Sequence, residues 1–358
     1  MRPSAGSGVL DARRGLRVGP VSTVWRVRPV LVTGVALVAL VVVAALNLGR
    51  GDYPIPVADV LRVLGGAGDR ADTFVVTGLR LPRTLTGVFV GAALGLAGAI
   101  TQAVVGNPLA SPDVLGVTDG ASVFAVLAVV VGGAGGAAGL LLDVGVPLAA
   151  LVGALLAAGL VLGLSRGRPS DGRLILVGIG VSAAEVSITS WLLVVANVQQ
   201  AGQVLVWLRG SLNARGWEHA VPVGVVVVLL LPVAIVLVFR LRALELGDDP
   251  ARGLGLDVGR SRAGLIGVAV ALSAVATAAA GPIRFVALVV PQVALRLTGG
   301  SRPPLVASAV CGALLTVASD LVARTVLGES VPVGVVTVVV GAPYLVFLLV
   351  RRARRADV

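Results

Sequence analysis

Few side chains in this sequence could carry covalent or metal chemistry. The 358 residues contain a single His, His219, and a single Cys, Cys311, which excludes a paired-His zinc site and argues against a Cys-based one. All 29 basic residues are Arg, whereas a Walker A motif needs a Lys that reaches the nucleotide phosphates. We therefore predict a protein that is not an enzyme and has no catalytic residues, metal or cofactor.

Two acids, Glu185 and Asp320, lie inside long apolar stretches. An acid at membrane depth is by default a candidate site for a proton or an ion. A structural role is the alternative that we favour for both. Glu185 would then face another helix, and Asp320 would pair with Arg324 at the i, i+4 spacing of a helical ion pair.

The composition indicates what kind of scaffold holds these residues. Apolar residues make up 57% of the chain, charged residues 13%, and the mean hydropathy is +1.01. A soluble enzyme, a disordered chain and a disulfide scaffold are excluded, and continuous apolar runs do not suit an outer-membrane barrel, whose strands alternate. At about 20 residues a span, the apolar residues suffice for roughly ten helices. We predict an all-α polytopic membrane protein.

Ten apolar stretches lie along the chain. No small-residue cleavage signal follows the first, so we expect a retained helix rather than a signal peptide. A tail at 1–29 precedes the transmembrane domain at 30–350, and a basic tail follows at 351–358. The stretches are 30–48, 84–105, 114–132, 144–164, 174–196, 219–239, 263–280, 284–298, 304–323 and 332–350.

The placement of Arg residues predicts the orientation. Both tails and the loops at 165–173 and 240–262 are rich in Arg, which places them in the cytoplasm by the positive-inside rule. An even number of spans agrees, and the net charge of +11 then needs no nucleic acid as a partner. The loop at 49–83 is the exception, because it must lie outside yet holds Arg50, Arg62, Arg70, Arg80 and Arg83.

Two segments, 79–120 and 281–300, carry helix breaks within apolar sequence. Irregular backbone at membrane depth is tolerated only where protein or a water-filled cavity covers it, so the breaks predict a nearby translocation path. The arginines that flank the second break, Arg284 and Arg296, are expected to reach the membrane interfaces. The candidate path residues are Gln102, Asn107, Pro108, Pro112, Pro282, Pro291 and Gln292.

A stripe of small residues begins the first of these segments. Gly87, Gly91, Gly95 and Gly98 fall on one helix face, which indicates close helix packing in lipid. Lining of the path is compatible with that packing.

The loop at 240–262 is the one sizeable insertion between cytoplasmic span ends. Its spaced leucines lie among charges and glycines, a pattern typical of one or two short amphipathic helices with a bend. A solvated connector is the alternative, but it would not need spaced Leu, whereas a docking element for a partner explains both kinds of residue.

Several motifs, taken in order, resemble the FecCD permease family of binding-protein-dependent ABC importers for iron-siderophores, haem and vitamin B12. The resemblance covers about residues 30 to 350. The motifs are LRLPR at 79–83, GAALGLAGAITQAVVGNPLASPDVLGVTDGA at 91–121, LELGDDPARGLG at 244–255, GPIRFVALVVPQVALRLTG at 281–299, DLVAR at 320–324 and VPVGVVTVVVGAPYLVFLL at 331–349.

The resemblance implies a BtuC-like fold of ten helices that works as a pair around a central path. It implies two separate ATPase subunits, and an external binding protein, often a lipoprotein, that delivers the ligand. Arg80, Arg83 and Arg324 match outward-facing positions that meet carboxylates on the binding protein, which would explain the arginines of the outer loop. Coupling helices at about 243–258 would dock into the ATPase through Leu244, Leu246, Gly247, Asp248, Ala251, Arg252, Leu254 and Gly255.

Three residues depart from the family pattern. Gln292 stands where the family usually has His after Pro291, and Ala287 replaces a common Gly. Arg284 stands where a small polar residue is common. None of them is expected to be a catalyst, so the departures bear on packing or substrate type.

The resemblance implies a permease subunit for an iron-siderophore in the cytoplasmic membrane of a bacterium, with both termini in the cytoplasm. The partners would be the ATPase subunits, the binding protein, membrane lipid and an identical or homologous second permease. Haem or vitamin B12 is the alternative cargo. A secondary transporter that uses Glu185 or Asp320 as its ion site is an alternative of another class, and the single His argues against an intramembrane hydrolase.

Overall fold

The computed structural model describes residues 15–18, 21–24, 27–51, 53–132, 138–165, 172–244, 247–328 and 331–356. Within these ranges the chain is predominantly helical. The helices are α1 (Val27–Gly49), α2 (Val57–Leu64), α3 (Arg70–Thr73), α4 (Leu81–Val105), α5 (Val117–Gly132), α6 (Ala138–Ser165), α7 (Gly172–Val195), α8 (Val198–Leu208), α9 (Trp217–Leu244), α10 (Asp248–Gly253), α11 (Val258–Ala280), α12 (Val286–Thr298), α13 (Leu305–Val322) and α14 (Val333–Ala356).

Shorter elements join these helices. A π-helical segment, Phe74–Arg80, leads into α4, and a second, Ala323–Leu327, follows α13. A 3₁₀ turn, Pro112–Leu115, precedes α5. Ahead of α1, Gly15–Val18 and Val21–Val24 pair as an antiparallel hairpin, which the Arg-rich composition of the tail did not predict.

Ten apolar helices in the described part of the chain agree with the ten predicted stretches. Seven are long and apolar enough to cross a bilayer, beginning with Val27–Gly49 and including the continuous run Arg70–Val105. Three are shorter: Val117–Gly132, Val286–Thr298 and Val333–Leu348. The all-α polytopic fold is thereby confirmed. The helix within the stretch 284–298 has only 13 residues, because it begins at Val286.

The bundle has two ends, which we name after the small helices that lie there. At the α2 end, α1 ends and α4 begins, and the indole Nε1 of Trp217 at the start of α9 donates to the Thr77 carbonyl at 3.1 Å. At the α10 end, α9 leads through α10 into α11, and Arg302 donates to the Ala103 carbonyl near the end of α4 at 3.2 Å.

Helix α4 lies at the centre, because its small residues let three other segments approach its backbone. A Cβ added at Gly91 or Gly95 would collide with backbone carbonyls of α13, and one at Gly98 would collide with the Ala287 carbonyl of α12. A Cβ at Gly87 would lie 2.9 Å from the Leu212 side chain. The predicted packing face is confirmed, and dispersion between close backbones replaces the hydrophobic effect that lipid cannot supply.

We expect Gly91→Val to destabilise the bundle, because the new side chain must push α13 away from α4. Overpacking of this kind costs about 1–3 kcal/mol, so the melting temperature in detergent should fall clearly. Gly34→Val is the matched control, since nothing lies within 4 Å of a Cβ at Gly34 in the same kind of helix. Equal melting temperatures for the two variants would contradict the packing assigned to α4.

Candidate functional site

A buried ionic network joins α13 to α4 at the α2 end. Asp320, 1% exposed, accepts from Arg83 Nε at 3.1 and 3.2 Å and from Arg83 Nη2 at 2.7 Å. It also accepts from Asn47 Nδ2 at 3.1 Å, while Arg324 Nε stands farther off at 3.7 Å. The predicted i, i+4 pair is present, but the fork of Arg83 is the principal partner of Asp320.

Two further arginines cap the end of α1. Arg80 donates from Nη1 to the Leu48 carbonyl at 2.8 Å and from Nη2 to the Tyr53 carbonyl at 2.6 Å. Arg324 donates from Nη2 to the backbone carbonyl and the side-chain amide oxygen of Asn47, the former at 2.8 Å. The last carbonyls of a helix lack partners within the helix and form its negative end, so each guanidinium satisfies and neutralises them.

The family-matched arginines are thus engaged within the isolated chain, and their docking to a binding protein stays a prediction. Arg80 and Arg324 are only 7% and 9% exposed. Gly51, with φ at +142°, lies over both guanidinium groups, and a Cβ there would stand 2.9 Å from Arg80 Nη2. The exposed arginines of the 49–83 loop are Arg50, Arg62 and Arg70.

The predicted coupling segment forms an elbow at the α10 end, which we define as residues 247–257. It contains the one short helix α10, between Gly247 (φ +101°) and Gly255 (φ +80°), as the bend prediction required. Ala251 is fully buried, whereas Leu254 is 65% exposed.

Charged residues precede and follow that exposed leucine in the sequence. Arg252 pairs with Asp249 at 2.9 Å, and the Asp257 carboxylate accepts the Arg260 amide at 3.0 Å as the N-cap of α11. Leu246 lies outside the described residues, as do the side chains of Leu244 and Asp248.

The helix break that the sequence predicted after α4 lies where it was expected. Gly106, in the left-handed region at φ +70°, ends the helix, and the Asn107 carboxamide accepts the Leu109 amide at 3.0 Å. Pro108 follows within that turn, and Pro112 opens the 3₁₀ turn before α5.

Gln102 and Gln292 meet in the interior. Gln102 Nε2 donates to the Leu288 carbonyl at 2.9 Å, and Gln292 Nε2 donates to Gln102 Oε1 at 2.6 Å. The amides therefore tie α4 to α12. The segment 281–300 holds a short helix, as predicted: residues 281–285 around Pro282 are non-helical, and α12 has 13 residues with Pro291 inside it.

That irregular segment carries an ion pair at membrane depth. Arg284 Nη2 stands 2.9 Å from Asp119 Oδ1 in the first turn of α5. Arg296, by contrast, stands over the Tyr344 and Phe347 rings, with 5.6 Å from its Cζ to each centroid.

Glu185 lies against the same first turn of α5. It is 9% exposed, and its carboxylate Oε2 would stand 3.0 Å from a Cβ at Gly116. It faces another helix, as the structural alternative stated. The sequence analysis missed Asp119, although an acid inside the stretch 114–132 and an unusual Arg at 284 were visible signals.

No three His, Cys, Asp or Glu side chains of the described ranges come together in a group that could hold a metal ion. The arrangement instead offers buried ionic and amide ties between helices, an irregular segment at membrane depth, and an exposed elbow.

Comparisons with known proteins cover most of the chain. Residues 37–351 match the FecCD transport family. The ferric enterobactin transport system permease protein FepG of Escherichia coli (strain K12) is 42% identical over 331 residues, which are 92% of this chain and 98% of that protein. A vitamin B12 import system permease protein, BtuC of Pectobacterium atrosepticum, is 37% identical over 292 residues, which are 79% and 84% of the two chains.

A solved structure gives the same result for the fold. An inward-facing conformation of a metal-chelate type ABC transporter superposes with a TM-score of 0.79 at 27% identity, covering 90% of this chain and 99% of that one.

We expect Asp320→Asn to be strongly destabilising, because it leaves the Arg83 guanidinium buried beside a neutral amide. Breaking a buried ion pair on one side costs about 3–5 kcal/mol. The double variant Asp320→Asn with Arg83→Gln should recover part of the loss in melting temperature, since neither charge is then unpaired. Asp59→Asn, which breaks the exposed pair with Arg62 at 3.0 Å, should change stability by less than about 1 kcal/mol. An Asp320→Asn variant as stable as Asp59→Asn would contradict this role.

Proposed function

The chain belongs to the FecCD transport family, and from this membership we propose that it is the permease subunit of a binding-protein-dependent ABC importer that carries an iron-siderophore across the bacterial cytoplasmic membrane. The observation that carries the proposal is the near full-length match to a ferric enterobactin permease at 42% identity. The ordered motifs at 79–121, 244–255 and 281–299 predicted the family from sequence, and that prediction is confirmed by the match over 37–351.

The cargo is inferred from the relatives. Besides the ferric enterobactin permease, a probable siderophore permease, YfhA of Bacillus subtilis (strain 168), is 37% identical over 311 residues. Both carry iron chelates by their names, which favours a ferric chelate here. Vitamin B12 remains the second candidate, because a vitamin B12 permease is also 37% identical.

ATP hydrolysis belongs to separate subunits in this proposal, since the chain lacks Lys and with it a Walker A motif. The elbow at 247–257 is the surface that would receive their motion. Leu254 offers an exposed apolar contact between charged residues of the same segment, and buried Ala251 anchors α10 to the bundle. Because a ligand shifts an equilibrium only by binding two states unequally, ATP binding would drive transport by favouring one position of the elbow.

The α10 end would face the cytoplasm and the α2 end the binding protein, as the positive-inside rule predicts. Docking through Arg80, Arg83 and Arg324 stays a prediction. Arg80 and Arg324 are buried beneath Gly51. For either to pair directly with carboxylates of the binding protein, the backbone at Gly51 would have to move. The exposed Arg62 and Arg70 would meet the partner first.

A second permease would cover α7. The apolar side chains that α1 exposes, such as Val35 and Val38, suit lipid. Helix α7 is also largely exposed, yet its open positions include Ala183, Ser187 and Ser190. Small and hydroxylated residues are typical of helix contacts and water-filled paths rather than of lipid contact, which supports a pair of permeases that meet along this helix.

The secondary-transporter alternative is less well supported. Asp320 is already held by Arg83 and Asn47, which leaves it poorly placed to bind a transported ion. Vesicles that contain the permease, the ATPase subunits and the loaded binding protein would test the proposal directly. Ferric-chelate import should need all three components and ATP, and should survive an uncoupler; import by the permease alone, driven by an ion gradient, would overturn it.

We expect Leu254→Glu to weaken ATPase binding and uncouple transport, because it places a charge in the apolar contact of the elbow. Co-purification of the ATPase subunits should fall at least fivefold. The matched control is Leu61→Glu, a 63% exposed leucine of α2 at the opposite end, which should leave co-purification unchanged. Equal ATPase retention by both variants would remove the elbow from the coupling surface.

We expect Arg62→Glu with Arg70→Glu to weaken docking of the binding protein, because both arginines are exposed at the α2 end. Screening predicts the largest loss of affinity at low salt. The same reversal at Arg252 and Arg260, at the α10 end, is the control and should not change the dissociation constant. An unchanged constant for the α2-end variant at low salt would contradict the docking face.

A further inference from the structure

Arg284 lies far from either membrane surface. Its partner Asp119 is followed by Gly120, and a Cβ at Gly120 would stand 2.8 Å from the Gly153 carbonyl of α6. Gly153 lies near the middle of the span Gly145–Ser165, which at 1.5 Å a residue is about 12 Å from one end and about 18 Å from the other. The pair of Arg284 with Asp119 is therefore at the middle of the membrane.

The Arg284 side chain is nevertheless 55% exposed, whereas that of Asp119 is 17% exposed. An arginine facing acyl chains at this depth is costly, and charged groups in spans almost always face a bundle interior or a water-filled cavity. The segment that holds it, 281–285, is non-helical, and Phe285 has a φ of +70°. Since irregular backbone at membrane depth also requires cover by protein or water, both observations favour an aqueous path or a second subunit, rather than acyl chains, on the open side of Arg284.

The guanidinium has donors to spare. Of its five N–H groups, the structure engages Nη2 with Asp119, and neither Nε nor Nη1 has a hydrogen-bond partner among the described residues. The neighbouring Asp113 accepts from Thr118 and Ser111, and it also lies close enough to Arg284 for an electrostatic attraction. Glu185 lies on Gly116 and Gly120, on the α7 side of the α5 turn.

We propose that Arg284 contacts the cargo within the translocation path and selects chelates that present anionic oxygens. This proposal rests on the function proposed above. A guanidinium fork binds carboxylate-like oxygen pairs in two-point geometry and stays charged at any physiological pH. The Asp119 carboxylate engages one nitrogen of the fork and leaves the remaining donors open to the path.

The rival explanation is that the ion pair only holds α5 against the 281–285 segment, a purely structural role that we call a latch. A latch fails equally when either partner is removed. A cargo contact fails when the cation is lost but survives loss of Asp119, which leaves the guanidinium in the path. Arg284→Gln and Asp119→Asn therefore separate the two explanations.

The test uses the complete complex in vesicles, with the binding protein loaded with ferric enterobactin or ferric citrate, whichever the wild type imports. Arg284→Gln should lower kcat at least tenfold with the KM for loaded binding protein changed less than twofold, because docking is remote from the path. Asp119→Asn should keep kcat within threefold of wild type. Arg284→Lys, which keeps the charge but not the fork, should fall between them.

Equal losses in Arg284→Gln and Asp119→Asn would overturn the proposal in favour of a latch, and wild-type turnover in Arg284→Gln would overturn it outright. Should Arg284→Gln fail to fold, the double variant with Asp119→Asn has no unpaired charge and replaces it in the comparison. A wild-type complex that imports neither chelate would count against the proposed function itself, before any variant is compared.

Discussion

Backbone carbonyls at the ends of helices need donors, and the bilayer supplies none; this constraint governs how the chain uses its arginines. Arg80 and Arg324 cap α1 at one end of the bundle. At the other end, Arg28 donates to the Leu297 carbonyl of α12 at 2.8 Å, and Arg302 donates to α4. A planar fork can satisfy two carbonyls where an ammonium is a point charge. Each cap comes from a different element, so satisfying the helix ends also fixes helices to one another.

The need for close approach between helices explains why the centre of the bundle is built from small residues. Gly91, Gly95 and Gly98 bring α4 against α13 and α12 at backbone distance. Polar groups can then bridge helices with short side chains, as the Gln102 and Gln292 amides do at 2.6 Å. A larger side chain at any of these glycines would separate the amides as well as the backbones, so packing and polar ties depend on each other.

The spans were predictable from sequence, whereas the partners within the site were not. Hydropathy is local, so the ten apolar helices and the bend at Gly247 and Gly255 followed from composition and spacing. The pairs that organise the interior are remote: Arg83 with Asp320 is separated by 237 positions and Arg284 with Asp119 by 165. Periodicity says which face of a helix is apolar but not which helix covers it. The sequence therefore did not predict that Arg80 and Arg324 cap α1 within the chain.

Helix α11 connects the elbow to the irregular segment that holds Arg284. It begins at the Asp257 cap, directly after α10, and ends at Ala280, where the irregular segment with Arg284 starts. Its 23 residues span about 34 Å, and most of its surface is buried against α4, α6 and α9. A hydrogen-bonded helix transmits axial displacement with little loss, whereas the non-helical residues beyond it can change their dihedral angles. A movement at the elbow would therefore be absorbed at 281–285, the segment in which the exposed guanidinium lies.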